Sequence, residues 1–300
     1  MHLPDLIGNT PLLELSNIAS KRAGVSIYAK AEFCNPSGSV KDRAAKAMLL
    51  DGIAKGLLTK GKTIIDASSG NTGIAYAMLG AALGYPVVIY LPANASEERK
   101  SFLKRYGAAI VETDPLESSD GAFLAARKEA AAHPDRYFYP DQYNNDANWK
   151  AHYQTTAPEI WKATEGKITH FIAGTGTSGT LMGTSRRLKE LNPNVKAIAI
   201  QPDSPFHGIE GTKHMASTIK PGFYDERFVD GIVEVSTEEA YAAARLLVRK
   251  EGVFAGISAG ANVQGALKLA GDLPDGSLIV TVLGDSGSRY LSEKFWEADL

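Results

Sequence analysis

Short apolar runs alternate with amphipathic helical patterns along most of this chain, and no other feature restricts its fold as strongly. In the first half the runs fall at 63–67, 87–91 and 108–112, with helical periodicity at 72–83, 96–106 and 119–132. In the second half they fall at 170–173, 195–201, 232–235 and 278–282, with helices at 178–191, 237–250 and 259–270. A strand that is apolar along its whole length has both faces buried, and a helix after each strand supplies the cover. The outcome is a parallel sheet in an α/β fold. Two stacked α/β units are the economical solution. An earlier stretch, 26–33, alternates well enough for a strand and leads to a helix at 42–55 whose broad apolar face ends at Gly56. Ser236 and Glu239 have capping-box spacing ahead of the helix at 237–250. The longest irregular stretch, 202–227, is rich in Pro, Gly and charge and is the best candidate for a mobile loop over a site.

Three hundred residues with 44% hydrophobic content can bury a large core, as one large domain or two closely associated ones. The net charge is −2 with the basic residues dispersed, so neither a nucleic-acid partner nor an anionic membrane surface is expected. The chain has no apolar run of about 18 residues, and Met1-His-Leu-Pro-Asp-Leu-Ile7 lacks the basic and apolar regions of a signal peptide. The expected location is cytoplasmic. With Cys34 alone there is no intrachain disulfide and no cysteine cluster for zinc, and Cys34 reads as a small packed hydrophobe at a strand end.

Ligands in open α/β sheets bind at the carboxyl ends of the strands, and the unusual residues of this chain gather there. In Asn35-Pro-Ser-Gly-Ser-Val-Lys-Asp-Arg43, a turn built on Pro36 and Gly38 places Lys41 where the turn becomes a helix. A lysine between strand and helix can be desolvated into the range where its amine forms an imine with an aldehyde. The plainer account is a solvated lysine, although a cation is mildly unfavourable at a helix N-terminus. Ser68-Ser-Gly-Asn-Thr-Gly73 gathers hydroxyls, a side-chain amide and backbone N–H groups at a helix start, which suits a small carboxylate; ordinary N-capping explains one or two of its residues.

Gly174-Thr-Gly-Thr-Ser-Gly-Thr180 follows a strand and opens an apolar helix. Its glycines allow close backbone approach, and its N–H and hydroxyl groups can hold a phosphate dianion; tight helix packing is the alternative. The run also matches G-x-G-x-x-G, for which Asp203 could serve as the acidic partner of a dinucleotide. Gly256-Ile-Ser-Ala-Gly-Ala-Asn262 offers Ser258 either to an aromatic nitrogen or as a plain N-cap. Serine hydrolase chemistry is poorly supported, since no histidine follows His214.

In this order and spacing, the four motifs Asn35 to Arg43, Ser68 to Gly73, Gly174 to Thr180 and Gly256-Ile-Ser-Ala-Gly260 resemble those of the cysteine synthases. These are O-acetylserine sulfhydrylases of the β-family of pyridoxal-phosphate enzymes, with a tryptophan-synthase-β-like fold (fold type II). The resemblance runs from Leu6-Ile-Gly-Asn-Thr-Pro11 to Gly284-Asp-Ser-Gly-Ser-Arg-Tyr-Leu291. Thr155-Thr-Ala-Pro-Glu-Ile-Trp161 and Gly179-Thr-Leu-Met-Gly183 are similar to the B-type members. The resemblance implies a smaller mobile domain over 36–145, carrying the carboxylate loop, and a larger cofactor-phosphate domain from 1–35 and 146–300. It implies pyridoxal 5′-phosphate in Schiff-base linkage to Lys41. Asn71 would meet the ring hydroxyl, Gly174, Thr175, Gly176, Thr177, Ser178, Gly179 and Thr180 the phosphate, and Ser258 the pyridine nitrogen. The substrate carboxylate would be held by Ser68, Ser69, Gly70, Thr72 and Gln142.

The reaction implied is β-replacement: an O-acetyl-L-serine or O-phosphoserine loses its leaving group to give an α-aminoacrylate, and a sulfur donor adds to give L-cysteine. Lys41 carries the α-proton out and back. In Gly211-Thr-Lys-His-Met215, Lys213 stands where B-type members commonly carry an arginine, so the choice of acyl donor, and of sulfide, thiosulfate or a protein thiocarboxylate, stays open. A homodimer is expected, with serine acetyltransferase or a sulfur-carrier protein as candidate partners. Cystathionine β-synthase and the serine or threonine dehydratases share the fold and are the near alternatives. An NAD-dependent oxidoreductase and a non-catalytic ligand-binding module are the distant ones, and both leave Lys41 unexplained.

Overall fold

The computed structural model describes residues 1–19, 24–68, 70–218 and 220–298, with the backbone alone at Ser118 and Ser119. Its strands are β1 (Leu12–Glu14), β2 (Ser26–Ala31), β3 (Thr63–Ala67), β4 (Val87–Pro92), β5 (Ala109–Thr113), β6 (Tyr137–Phe138), β7 (His170–Gly174), β8 (Lys196–Pro202), β9 (Gly231–Val235) and β10 (Leu278–Leu283). They form a four-stranded sheet ordered β5-β4-β3-β6 and a six-stranded sheet ordered β1-β2-β10-β7-β8-β9. Every pairing is parallel except β1 with β2. β1 and β6 are additions to the expected strands; each is too short for a period of two to register.

The chain divides into two compact units, one from Met1–Ile7 and Lys41–Asn148, the other from Gly8–Val40 and Trp149–Leu300. The boundaries therefore fall at Lys41 and Asn148 where 36 and 145 were expected, and Met1–Ile7 goes with the smaller unit where residues 1–35 were expected to go with the larger.

In the smaller unit, Ile64, Ile65, Ile89 and Leu91 of the two central strands are fully buried. Each such side chain contributes about 1.5–3 kcal/mol on leaving water. The helix Asn71–Leu83 between β3 and β4 is buried from Thr72 to Gly80, because Ala, Ile, Tyr, Met and Leu surround it on every face. It packs with Ala44, Ala45, Met48 and Leu49 of the helix Lys41–Ala54 into one apolar cluster. Ala122, Ala126 and Ala130 of the helix Ser118–Ala132 cover the other side with Ile65 and Ala67.

In the larger unit, β10 lies between β2 and β7, and five of its six residues are buried. The helix Thr237–Leu246 starts with the expected capping box. The Ser236 hydroxyl accepts from the Glu239 N–H (3.2 Å), and the Ser236 N–H donates to the Glu239 carboxylate (2.9 Å). That helix continues as a π-helical turn over Leu247–Glu251 and stops at Gly252, whose φ is +68°. The segment expected to be a mobile loop is anchored by buried Ile209, Met215 and Phe223.

Candidate active site

The turn before Lys41 is held from below by a buried ionic group. Lys30 of β2 donates to the Thr10 carbonyl (2.5 Å) and to Glu159 (2.6 Å), and Glu32 accepts from the Thr10 hydroxyl (2.7 Å). Asn35 donates to the Glu32 carboxylate and carbonyl (both 2.8 Å) and accepts from the Gly8 N–H (2.9 Å). Charges this deep are tolerated because each is paired and hydrogen-bonded. From above, the Val40 N–H donates to the Gly284 carbonyl (2.8 Å), Ser39 bridges Asp285, and the Arg289 guanidinium donates to the Ser37 carbonyl. Gly38 turns the chain at φ +87°, and Lys41, half-buried, opens the helix Lys41–Ala54. Cys34, expected to be packed, is exposed in the 3₁₀ turn Glu32–Cys34; burial of the sulfur's near side and the Glu32 carboxylate raise its pKa, which argues against a nucleophile.

The structure joins Thr72 and Gln142 within the smaller unit. The Thr72 hydroxyl donates to the Gln142 side-chain oxygen (3.0 Å), and both residues are buried. Asp141, at φ +50°, turns the chain into Gln142, whose carbonyl accepts from the Asn148 amide (2.6 Å). Ser68 accepts from the Gly70 N–H (3.2 Å) in the turn that brings half-buried Asn71 to the first position of its helix. Ser69, expected to hold carboxylate, lies outside the described residues.

The loop after β7 lies in the larger unit. Gly174 ends the strand, Ser178 adopts a left-handed φ of +63°, and Gly179 starts the helix Gly179–Leu191. A side chain at Gly176 would run into the Gly211 carbonyl, and one at Gly174 would come 3.2 Å from Asn262 Oδ1. Ser178 is buried and its hydroxyl has no hydrogen-bond partner among the described residues. Thr175 differs from its expected role. Its buried hydroxyl is taken up by the Ile200 (3.1 Å) and Lys213 (2.9 Å) carbonyls, and its own carbonyl accepts from the Lys213 N–H (2.5 Å). Thr175 therefore staples the segment of Lys213 to the loop, and Lys213 is pinned through its backbone.

Thr180 is 3.3 Å from His152 Nε2, and His152 Nδ1 is 2.9 Å from the Thr156 hydroxyl. His152 was not singled out from the sequence. It is buried in a π-helical turn, His152–Thr156, and the only signal was a histidine and a threonine four residues apart.

Ser258 is half-buried in the first turn of the helix Ile257–Ala270, whose N-cap is Gly256, so the plain N-cap account of Ser258 does not hold. A side chain at Gly284 would stand 3.2 Å from the Ser258 hydroxyl. The Gly256 N–H donates to the Asp285 carbonyl (3.0 Å), so the segment that anchors Val40 also anchors the start of this helix. Asp203 is exposed at the end of β8. Among the described residues no group of His, Cys, Asp and Glu could hold a metal ion, and no helix is long and apolar enough to cross a membrane.

The profile of the pyridoxal-phosphate dependent enzymes matches residues 3–285. The chain belongs to this family. It is 52% identical to a cysteine synthase of Aquifex aeolicus over 292 residues, covering 96% of this chain and 89% of the relative. It is 38% identical to cysteine synthase B of Salmonella typhimurium, covering 97% and 94%. The crystal structure of a cysteine synthase from Entamoeba histolytica superposes with a TM-score of 0.94 at 35% identity, covering 99% of this chain and 91% of that one. The family's cofactor carries a phosphate, and the Gly174–Thr180 loop fits it. A glycine-lined strand end, an orphaned buried hydroxyl at Ser178 and the N-terminus of a 13-residue helix present donors to an anion.

Proposed function

We propose that the protein makes L-cysteine from O-acetyl-L-serine and a sulfur donor by β-replacement. The observation that carries this reading is the buried Thr72–Gln142 pair beside the Ser68 turn, a ready receptor for an amino-acid carboxylate, in a chain of the pyridoxal-phosphate family. In this reading Gly176, Thr177, Ser178, Gly179 and Thr180 hold the cofactor phosphate, Asn71 meets its ring hydroxyl, and Ser258 meets its ring nitrogen. When bound, the cofactor supplies an electron sink for the carbanion formed next to the substrate carboxylate.

The chain's own groups do the rest. Ser68, Thr72 and Gln142 hold the carboxylate and fix which bond at Cα is aligned for cleavage. The Lys41 amine accepts the Cα proton and later returns it, acting first as base and then as acid. Acetate leaves from Cβ, and the sulfur of the donor bonds there in its place. Ser258, a neutral hydroxyl rather than a carboxylate, would leave the ring nitrogen unprotonated when the cofactor is bound and so favour elimination over deeper carbanion chemistry. Lys213 would attract an anionic donor without the bidentate fork of an arginine. The same reading makes the protein a cytoplasmic homodimer acting on small molecules, with the smaller unit moving when substrate binds.

The test is the visible absorbance of the purified protein and cysteine formation from O-acetylserine and sulfide. Lys41→Ala is expected to abolish turnover with the melting temperature retained, since alanine favours the helix. A colourless protein that cannot be reconstituted, or a Lys41→Ala variant with near-normal turnover, overturns the reading.

A further inference from the structure

One buried acid of the smaller unit has no part in the chemistry above. Asp66, 1% exposed, is the penultimate residue of β3, two residues before the Ser68 turn. Its Oδ1 accepts from the Ala67 N–H (2.7 Å), and its Oδ2 has no hydrogen-bond partner among the described residues. The Tyr139 hydroxyl, on a residue packed with Ile65 and Ala67, is also buried and unpartnered. Tyr76, fully buried, approaches the carboxyl without closing to a full hydrogen bond, its hydroxyl lying 3.8 Å from the Met48 sulfur.

The elements bearing these tyrosines are the two that meet at the carboxylate pair. Tyr76 lies one helical turn beyond Thr72 on the helix Asn71–Leu83. Tyr139 and Asp141 lie on the segment that leaves β6, parallel to β3 with Ile64 opposite Phe138, and reaches Gln142. We propose that Asp66 is a positioning residue which, through Tyr76 and the Tyr139–Asp141 segment, sets the contact between Thr72 and Gln142. This deepens the carboxylate-binding reading above and rests on it.

Protonated, Oδ2 is a donor that a tyrosine oxygen can satisfy. Ionised, it demands a donor, draws the Tyr76 and Tyr139 hydroxyls inward and repels Asp141, the residue whose left-handed turn aims Gln142. Burial, reinforced by the charge of Asp141, pushes the pKa of Asp66 up to about 7, while the Ala67 N–H and the Tyr76 hydroxyl pull it back. The facing titratable groups are Tyr76, Tyr139, Asp141 and Tyr143. From the helix Ser118–Ala132, Arg127 acts on Tyr139 and Asp120 on Tyr143. The adjacent strand β4 places uncharged Ile89 opposite Asp66. The pair is therefore set for binding below about pH 7 and loosened above it.

The experiment measures kcat and KM for O-acetylserine from pH 6 to 8.5 in wild-type holoenzyme, Asp66→Asn, Asp141→Asn and Gln142→Ala. The wild-type KM is expected to rise about fivefold across that range relative to Asp66→Asn, with little change in kcat. The substrate's own titration cancels in the ratio. Asp141→Asn, which removes the repulsion, moves the step to lower pH and keeps the proposal testable should Asp66→Asn fold poorly. Identical pH slopes in wild type, Asp66→Asn and Asp141→Asn overturn the proposal while a raised KM in Gln142→Ala leaves the carboxylate reading standing. An unchanged KM in Gln142→Ala overturns the reading itself, and the proposal with it.

Discussion

Ser178 combines a left-handed backbone, near-complete burial and an unpartnered hydroxyl at the head of a helix. Each is unfavourable alone: the left-handed region is sparsely occupied by residues with a Cβ, and an orphaned buried hydroxyl costs about 1–3 kcal/mol. Their coincidence makes sense where an anion completes the site. Ser178→Ala keeps the backbone demand and removes only the donor, so it is a cleaner probe than a change at Gly176, which would also displace Gly211. Titration of the apoprotein with pyridoxal phosphate should show affinity weakened by roughly 10- to 100-fold, from about 1.5–3 kcal/mol for a hydrogen bond to a charged group. Unchanged affinity would mean that the phosphate lies elsewhere. Lys213 calls for the opposite expectation. Because its N–H and carbonyl are held by Thr175, Lys213→Met changes the side chain without freeing the segment. A single ammonium contributes about 1–2 kcal/mol to an anionic donor, a roughly 5- to 30-fold fall in kcat/KM for O-phosphoserine on its loss. O-acetylserine should be almost unaffected, and equal losses with both would mark Lys213 as a surface charge.

Among the elements, β3 shows what sequence periodicity reveals and what it hides. Its bounds are plain in the sequence because Thr-Ile-Ile-Asp-Ala, past its opening threonine, is apolar but for one residue, and a parallel strand buried on both faces has to be. The odd residue, Asp66, is where the pattern fails, and its meaning appears only once Tyr76 and Tyr139 are seen beside it. Likewise, the Ser236 capping box was legible because its partners are three residues apart, whereas Thr72 and Gln142 are separated by 70 residues and only the family resemblance paired them. β6 and the π-helical turn at His152 escaped because one is two residues long and the other breaks the 3.6-residue period. The Thr175 hydroxyl could not be assigned from sequence, since a threonine in a glycine-rich loop can face an anion or its own backbone.

Asp66 also gives β3 a pH-dependent stability. The unfolded chain loses the proton of Asp66 near pH 4 and the folded chain near pH 7, so folding grows less favourable as pH rises between them and is level above. The full effect is at most about 4 kcal/mol. Thermal melts of wild type and Asp66→Asn should diverge in favour of the asparagine variant from pH 4.5 to 7.5 or so, and parallel curves would show that the carboxyl is solvated or paired.

At the scale of the molecule, each apolar cluster belongs wholly to one unit. Two are built from the smaller unit's strands and helices, and two from the larger unit's. Each unit therefore has a core of its own, and a ligand that touches one unit should stabilise that unit first. On the proposed reading, inorganic phosphate, lacking the ring and aldehyde of the cofactor, is expected to engage the loop of Gly174–Thr180. At ten times its dissociation constant it adds about 1.4 kcal/mol to whatever it binds. Hydrogen exchange of the apoprotein with and without phosphate should show added protection at 174–180, at 211–215 stapled through Thr175, and in the helix Gly179–Leu191, with β3 and β4 unchanged. Equal protection in both sheets would mean that the two cores open as one unit. No protection at 174–180 would remove the phosphate from that loop and leave its glycines to their close contacts with Gly211 and Asn262.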